Sequence, residues 1–90
     1  MPVVQSSFVV TNALGMHARP SALFAKTAAR YDARVSVRNG GGFVDGKSIL
    51  DLLTIGAQKG TKLTVVADGS DADALMQDIR GLFDAAFGEK

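Results

Sequence analysis

The segment Asn12-Ala13-Leu14-Gly15-Met16-His17-Ala18-Arg19-Pro20 decides how the rest of the chain is read. It holds the only histidine in 90 residues. Gly15 stands two positions before that histidine, Arg19 two after it and Pro20 three after it. A run with helical periodicity follows the proline. These features predict a loop that turns at Gly15 and delivers His17 to the first residue of a helix. Gly15 has access to backbone angles closed to other residues. Pro20 is tolerated in the first helical turn, where an N–H has no intrahelical partner to lose.

The remaining N–H groups of that first turn point out of the helix end, and the aligned peptide dipoles make the end partly positive. An anion is stabilised there without further machinery. Arg19 adds a permanent charge whose planar donors suit phosphate oxygens. His17 is expected to be exposed and uncharged beside this cradle, because a positive surround disfavours the imidazolium. A ring nitrogen is then free to attack phosphorus near neutral pH. The pattern reads as a histidine that is itself phosphorylated, against the blander alternative of an ordinary loop or cap residue. Zinc usually takes several Cys or His ligands, so one histidine and no cysteine argue against a metal site.

Outward from this segment, Val3 to Thr11 reads as a β-branched strand with Phe8 and Val10 on one face. On the other side, Ala22, Leu23, Phe24, Thr27, Ala28 and Tyr31 fall on one face of a helix that ends over Tyr31-Asp32-Ala33, and Lys26 lies off that stripe. Arg34 to Arg38 alternates as a strand, Asn39-Gly40-Gly41-Gly42 turns, and Phe43-Val44-Asp45 returns. Three consecutive glycines there read as a hairpin loop rather than a phosphate loop.

Ser48 to Gly56 reads as a short helix in which Ser48 and Asp51 form a capping-box-like pair. The helix is apolar nearly all round. Some of Ile49, Leu50 and Leu53 are therefore expected at the surface as a docking patch, the alternative being that all are core. Lys62 to Ala67 reads as the fourth strand. Ser70 is expected to cap a last helix with Asp73 at its third position and Leu75, Ile79, Leu82, Phe83 and Ala86 facing inward. One-sided helices and strands together imply an α+β arrangement in two layers, an antiparallel sheet with helices on one side.

The whole chain sets outer limits. Its 90 residues are read as one domain, 1–90. A content of 47% hydrophobic and 21% charged residues is that of a folded protein rather than a disordered one. No cysteine means no disulfide framework, which fits a reducing cytoplasm. No signal peptide and no membrane span are expected. Net charge is +1 but uneven: residues 1–47 carry six Lys/Arg against two Asp/Glu, whereas residues 48–90 carry four against seven. The basic half contains His17 and suits a site that handles phosphate. The charge is too weak, and the aromatics too core-like, for a nucleic-acid-binding domain.

The stretch Leu14-Gly15-Met16-His17-Ala18-Arg19-Pro20, followed some thirty residues later by Gly46-Lys47-Ser48-Ile49, resembles the histidine-containing phosphocarrier (HPr) family of the bacterial phosphoenolpyruvate-dependent phosphotransferase system. The resemblance extends over essentially the whole chain. It implies an open-faced β-sandwich, four antiparallel strands in the order 1-4-2-3 with three helices on one face. It implies a monomeric cytoplasmic carrier rather than an enzyme that turns over alone, without a cofactor.

Such a carrier takes a phosphoryl group from Enzyme I and passes it to the IIA domain of a sugar permease or to a related regulatory relay. His17 matches the histidine phosphorylated on Nδ1, and Arg19 the arginine that contacts the phosphoryl group. Asn12 and the Ala18-Arg19 backbone sit where the family orients and cradles that group. Ser48 matches the serine modified by an HPr kinase/phosphorylase, a role compatible with helix capping. Lys26, Lys47, Ile49, Leu50 and Leu53 are expected to meet acidic, apolar partner surfaces. Met16 and Ser21 depart from the commoner Leu and Ala, and Ser21 either offers the phosphate a hydroxyl or plays no part. A regulatory module derived from such a carrier is the competing class, but modules of that type have lost the histidine that is present here.

Overall fold

Alternation of apolar and polar residues along four strands determines which face of the sheet is covered. The computed structural model describes residues 2–89. Its elements are strand β1 (Val3–Val9), helix α1 (Ala18–Ala28), strands β2 (Arg34–Arg38) and β3 (Val44–Asp45), helix α2 (Ile49–Thr54), strand β4 (Lys62–Asp68), helix α3 (Ala72–Asp84) and a 3-10 turn (Ala86–Gly88). The strands form one antiparallel sheet in the order β1-β4-β2-β3, as the resemblance implies. Val3 pairs with Asp68 and Val9 with Lys62 across β1 and β4, and Arg34 pairs with Asp68 across β2 and β4. This register aligns Phe8, Leu63, Val65, Ala67, Val35 and Val37 on the buried face. Val3, Gln5, Ser7, Val9, Arg34, Arg38 and Lys62 face solvent on the other.

Helix α3 packs on β1 and β4, and α1 packs against α2 and α3. The core is centred on Phe83. Its ring stacks on Phe8 at 4.7 Å between centroids and receives the edges of Phe24 at 6.3 Å and Phe87 at 4.9 Å. Offset and edge-on arrangements like these satisfy the ring quadrupoles beyond simple burial.

Several boundaries differ from the sequence reading, each for a tertiary reason. Helix α1 stops at Ala28, because the N–H groups of Arg30 and Tyr31 bond to Thr27 and Ala28 three residues back, which tightens the chain into a turn. The Tyr31 hydroxyl then donates to Asp78 on α3. Ser70 does not cap α3. Asp71 holds the cap position, and its carboxylate accepts from the N–H groups of Asp32 at 2.8 Å and Ala33 at 2.9 Å, tying the α1–β2 turn to the start of α3. The Asp32 bond is the main reason the Asp71 carboxyl is held below its ordinary value.

The Ser48–Asp51 pair forms only half of a capping box. Ser48 Oγ accepts from Asp51 N–H at 3.2 Å, but the Asp51 carboxylate accepts from Asp45 N–H at 3.2 Å instead of reaching back to Ser48. Helix α3 ends at Asp84, before Ala86, and Phe87 beyond it is a core residue.

Phe83→Ala is expected to lower the unfolding free energy by about 3–5 kcal/mol, since truncating a fully packed aromatic leaves a cavity as well as losing transfer energy. A urea titration checks it, with a lower midpoint and unchanged slope as the expected outcome.

Candidate functional site

The loop between β1 and α1 is built from backbone contacts around Gly15. Gly15 N–H donates to the Asn12 carbonyl at 3.1 Å, and Met16 N–H donates to the Ala57 carbonyl at 2.8 Å. Gly15 has φ +68°, and a Cβ there would lie 2.4 Å from the Ala57 carbonyl oxygen. Only glycine permits both the left-handed angle and so close an approach. The buried Met16 side chain anchors the loop to the core.

His17 follows with extended backbone angles (φ −71°, ψ −169°) and is the N-cap of α1, one position earlier than the sequence reading has it. Its carbonyl accepts from Ser21 N–H at 3.1 Å, the first bond of the helix. Ala18 and Arg19 thus occupy the first turn, where backbone N–H groups have no intrahelical acceptor, and Pro20 has none to leave unpaired. The His17 side chain makes no capping bond to these amides, and the first turn carries no acidic residue. Arg19 is exposed at the same end. A half-exposed imidazole therefore stands beside an open, partly positive helix terminus.

The structure corrects the expectation that His17 has a purely positive surround. The carboxylate of Glu89 lies against its ring, with Nε2 at 2.9 Å from both Oε1 and Oε2. In the uncharged ring Nε2 donates its proton to this acceptor, and Nδ1 keeps the lone pair. Asn12 is not directed at an incoming phosphate. It is fully buried, and its amide donates to the Gly15 carbonyl at 2.7 Å and to Glu89 Oε1 at 3.0 Å. Asn12 is thus the brace that joins the turn to Glu89. Ser21 is likewise buried, its hydroxyl donating to the Met16 carbonyl at 3.0 Å, so it offers nothing to a phosphate.

On α2, Leu52 is the buried member, and Ile49, Leu50 and Leu53 are exposed, Leu50 by 75%. Leu14 is exposed by 74%, a residue that sequence reasoning left out of the patch. Ser48 is half-buried at the start of α2. Lys47 is half-buried and its ammonium donates to the Tyr31 carbonyl at 2.7 Å, a structural bond at the C-terminal end of α1. Lys26 is exposed but stands in the last turn of α1, at the end opposite His17. Lys26 and Lys47 therefore both stand at the C-terminal end of α1, away from the end that carries His17.

Glu89 is the site residue that the sequence reading missed. It lies 72 positions from His17, and no local spacing signals the contact. The only sequence cue is Gly88 beside it, a residue suited to a chain reversal.

Residues 4–85 match the family described as PTS HPr component phosphorylation site. The Phosphocarrier protein HPr of Neisseria meningitidis serogroup A is 36% identical over 87 residues, covering 97% of this chain and 98% of that protein. The Multiphosphoryl transfer protein of Xanthomonas campestris pv. campestris is 44% identical over 71 residues, 79% of this chain. This chain spans only 8% of that protein's length, and 18% of a Haemophilus influenzae protein of the same name. Among solved structures, HPr-C-His from Thermoanaerobacter tengcongensis superposes with a TM-score of 0.92 at 29% identity, covering 97% of this chain and 98% of that one. The chain belongs to the HPr family.

The Glu89 carboxyl is held below its ordinary value, first by its hydrogen bond with His17, then by that from Asn12 and by the charges of His17 and Arg19. A lowered folded value means that the contact contributes stability above the ordinary carboxylate pKa and loses it as pH falls through the lowered one. Glu89→Gln is therefore expected to be less stable than wild type at neutral pH, with the difference shrinking on acidification. Thermal unfolding of both proteins across an acid pH series checks this; a difference that grows on acidification has the wrong sign.

Proposed function

We propose that this protein is a cytoplasmic phosphocarrier that takes a phosphoryl group onto His17 Nδ1 from Enzyme I, itself charged by phosphoenolpyruvate. It hands the group to a histidine on the IIA domain of a sugar permease or on a related regulatory relay. The observation that carries this reading is the division of labour on the His17 ring. Nε2 is engaged by Glu89, so Nδ1 is the nitrogen with a free lone pair, and the ring sits half-exposed at an open helix terminus.

Transfer proceeds in line. The Nδ1 lone pair attacks the phosphorus of the donor's phosphohistidine as the donor's P–N bond breaks and its electron pair returns to the donor ring. The phosphoryl oxygens meet the Ala18 and Arg19 amides and the Arg19 guanidinium. Onward transfer reverses the step toward the acceptor. The cradle must stay modest in strength, since a deeply stabilised phosphohistidine would not be released. The protein acts as a monomer and as the shuttled substrate of its partners, with no turnover of its own.

The exposed Leu14, Ile49, Leu50 and Leu53 side chains support weak, fast docking of those partners. Ser48 is the proposed regulatory site for an HPr kinase/phosphorylase. A phosphate on its hydroxyl would set a dianion against that apolar patch and weaken docking.

Incubation with Enzyme I and phosphoenolpyruvate, followed by intact mass, tests the assignment. Wild type is expected to gain one acid-labile, base-stable phosphate and His17→Ala none; a His17→Ala protein that still gains it refutes the reading. Leu50→Asp is expected to raise the KM for this carrier by about tenfold with kcat and thermal stability nearly unchanged, because it removes only a docking contact. Steady-state kinetics with the carrier as varied substrate checks it.

A further inference from the structure

Beyond α3 the chain folds back on itself at a cost. Ala86, Phe87 and Gly88 have φ of +49°, +55° and +73° in succession. A non-glycine residue in this region is disfavoured by roughly 1–2 kcal/mol. Two in a row persist only where the surroundings over-determine them. Here Phe87 is buried edge-on against Phe83, and the N–H groups of Gly88 and Glu89 close the turn onto the Ala85 and Ala86 carbonyls, each at 2.9 Å. The hook ends on Glu89, whose side chain is only 13% exposed and is held by Asn12 against the His17 ring. A surface carboxylate with no task would stay in water rather than be delivered by a strained turn and met by a buried amide.

We infer that Glu89 is a positioning residue for phosphoryl transfer, fixing His17 in its Nε2–H tautomer and facing the positive charge that the ring gains as Nδ1 is phosphorylated. The inference rests on the phosphocarrier reading above and deepens it. When the Nδ1 lone pair forms the new N–P bond, Nε2 keeps its proton, so the ring becomes cationic until the phosphoryl group leaves. A carboxylate 2.9 Å from Nε2 offsets that charge from the side away from the phosphoryl group, without occupying the path of the incoming phosphorus. The same bond holds the ring plane and so fixes the direction in which Nδ1 points. Arg19 and the first-turn amides act on the phosphoryl oxygens, whereas Glu89 acts only through the ring.

Two variants of the full chain separate this from a merely structural role. Gln at position 89 retains a carbonyl that accepts the Nε2 proton but loses the charge, and Ala retains neither. Nitrogen-15 spectra of the uncharged His17 ring are expected to show Nε2–H dominant in wild type and in Glu89→Gln, and a mixture of tautomers in Glu89→Ala. The rate of phosphoryl acceptance from Enzyme I is expected to fall roughly tenfold in Glu89→Ala and by less in Glu89→Gln, the size usual for a carboxylate that orients a functional histidine.

Ring spectra and acceptance rates that are the same in wild type and Glu89→Ala overturn the inference while leaving the phosphocarrier reading intact. A wild-type protein that takes no phosphate on His17 overturns both.

Discussion

The close approach of Gly15 to the Ala57 carbonyl is the constraint on which the functional end of the molecule depends. It lets Met16 N–H reach that carbonyl at 2.8 Å, which seats the Met16 side chain in the core and fixes where the chain can enter α1. His17 takes the cap position because the backbone is still extended there, and Pro20 then propagates the helix from a turn in which its missing N–H costs nothing. The imidazole, the open amides and Arg19 converge because a two-residue anchor on the segment after α2 leaves the loop no other path. A side chain at position 15 would push the loop off Ala57 and move the ring away from its helix end together with its nearest support.

The sheet supplies the platform for that anchor. β1 and β4 pair along their full lengths, and Val10, just beyond β1, exchanges bonds with Gly60 and Thr61 just before β4. The end of β1 is thereby locked beside the segment that carries Ala57. Phe8 on the inward face stacks on Phe83 of α3, so the same strand that launches the site loop also holds the helix whose end returns to it. The open order β1-β4-β2-β3 thus places the first strand, the loop and the end of α3 at one corner, while the short β3 and the glycine turn lie at the far edge.

The local parts of this arrangement are legible in the sequence. Gly15, His17, Arg19 and Pro20 lie within six consecutive residues, and their roles follow from turn and helix-end chemistry that acts over single-residue distances. The strand alternation of Arg34 to Arg38 and Lys62 to Asp68 is legible for the same reason, as is the surplus of apolar residues on a six-residue helix. Long-range choices of polar partner are not legible. Asp51 belongs to a cap-like pattern and Asp71 follows Ser70 in another, yet their carboxylates are drawn to N–H groups of Asp32, Ala33 and Asp45. Asn12 looks like a loop amide free to meet a ligand, and only the folded chain shows that both its donors are spent indoors. Glu89 is invisible for the strongest reason: its position depends on a backbone reversal at Ala86 and Phe87 that neither residue favours by itself.

That reversal explains why α3 ends where it does. Ala85 N–H still bonds to the Gly81 carbonyl, and a continuing helix would carry Phe87 around the surface. The left-handed turn drops the ring into the space between Phe83 and the core instead, and its burial offsets the disfavoured dihedrals with on the order of 2 kcal/mol of apolar transfer. The exchange is close to balanced in stability, so stability alone gives little reason for the hook. What the hook adds is a carboxylate fixed on one ring nitrogen of a histidine whose other nitrogen is free. A bare helix terminus with an arginine would favour every anionic species equally. On the proposed carrier reading, a negative group on the far side of the ring would favour the phosphorylated, positively charged imidazole over the empty one, and would let a shallow cradle hold a phosphoryl group that two partners exchange.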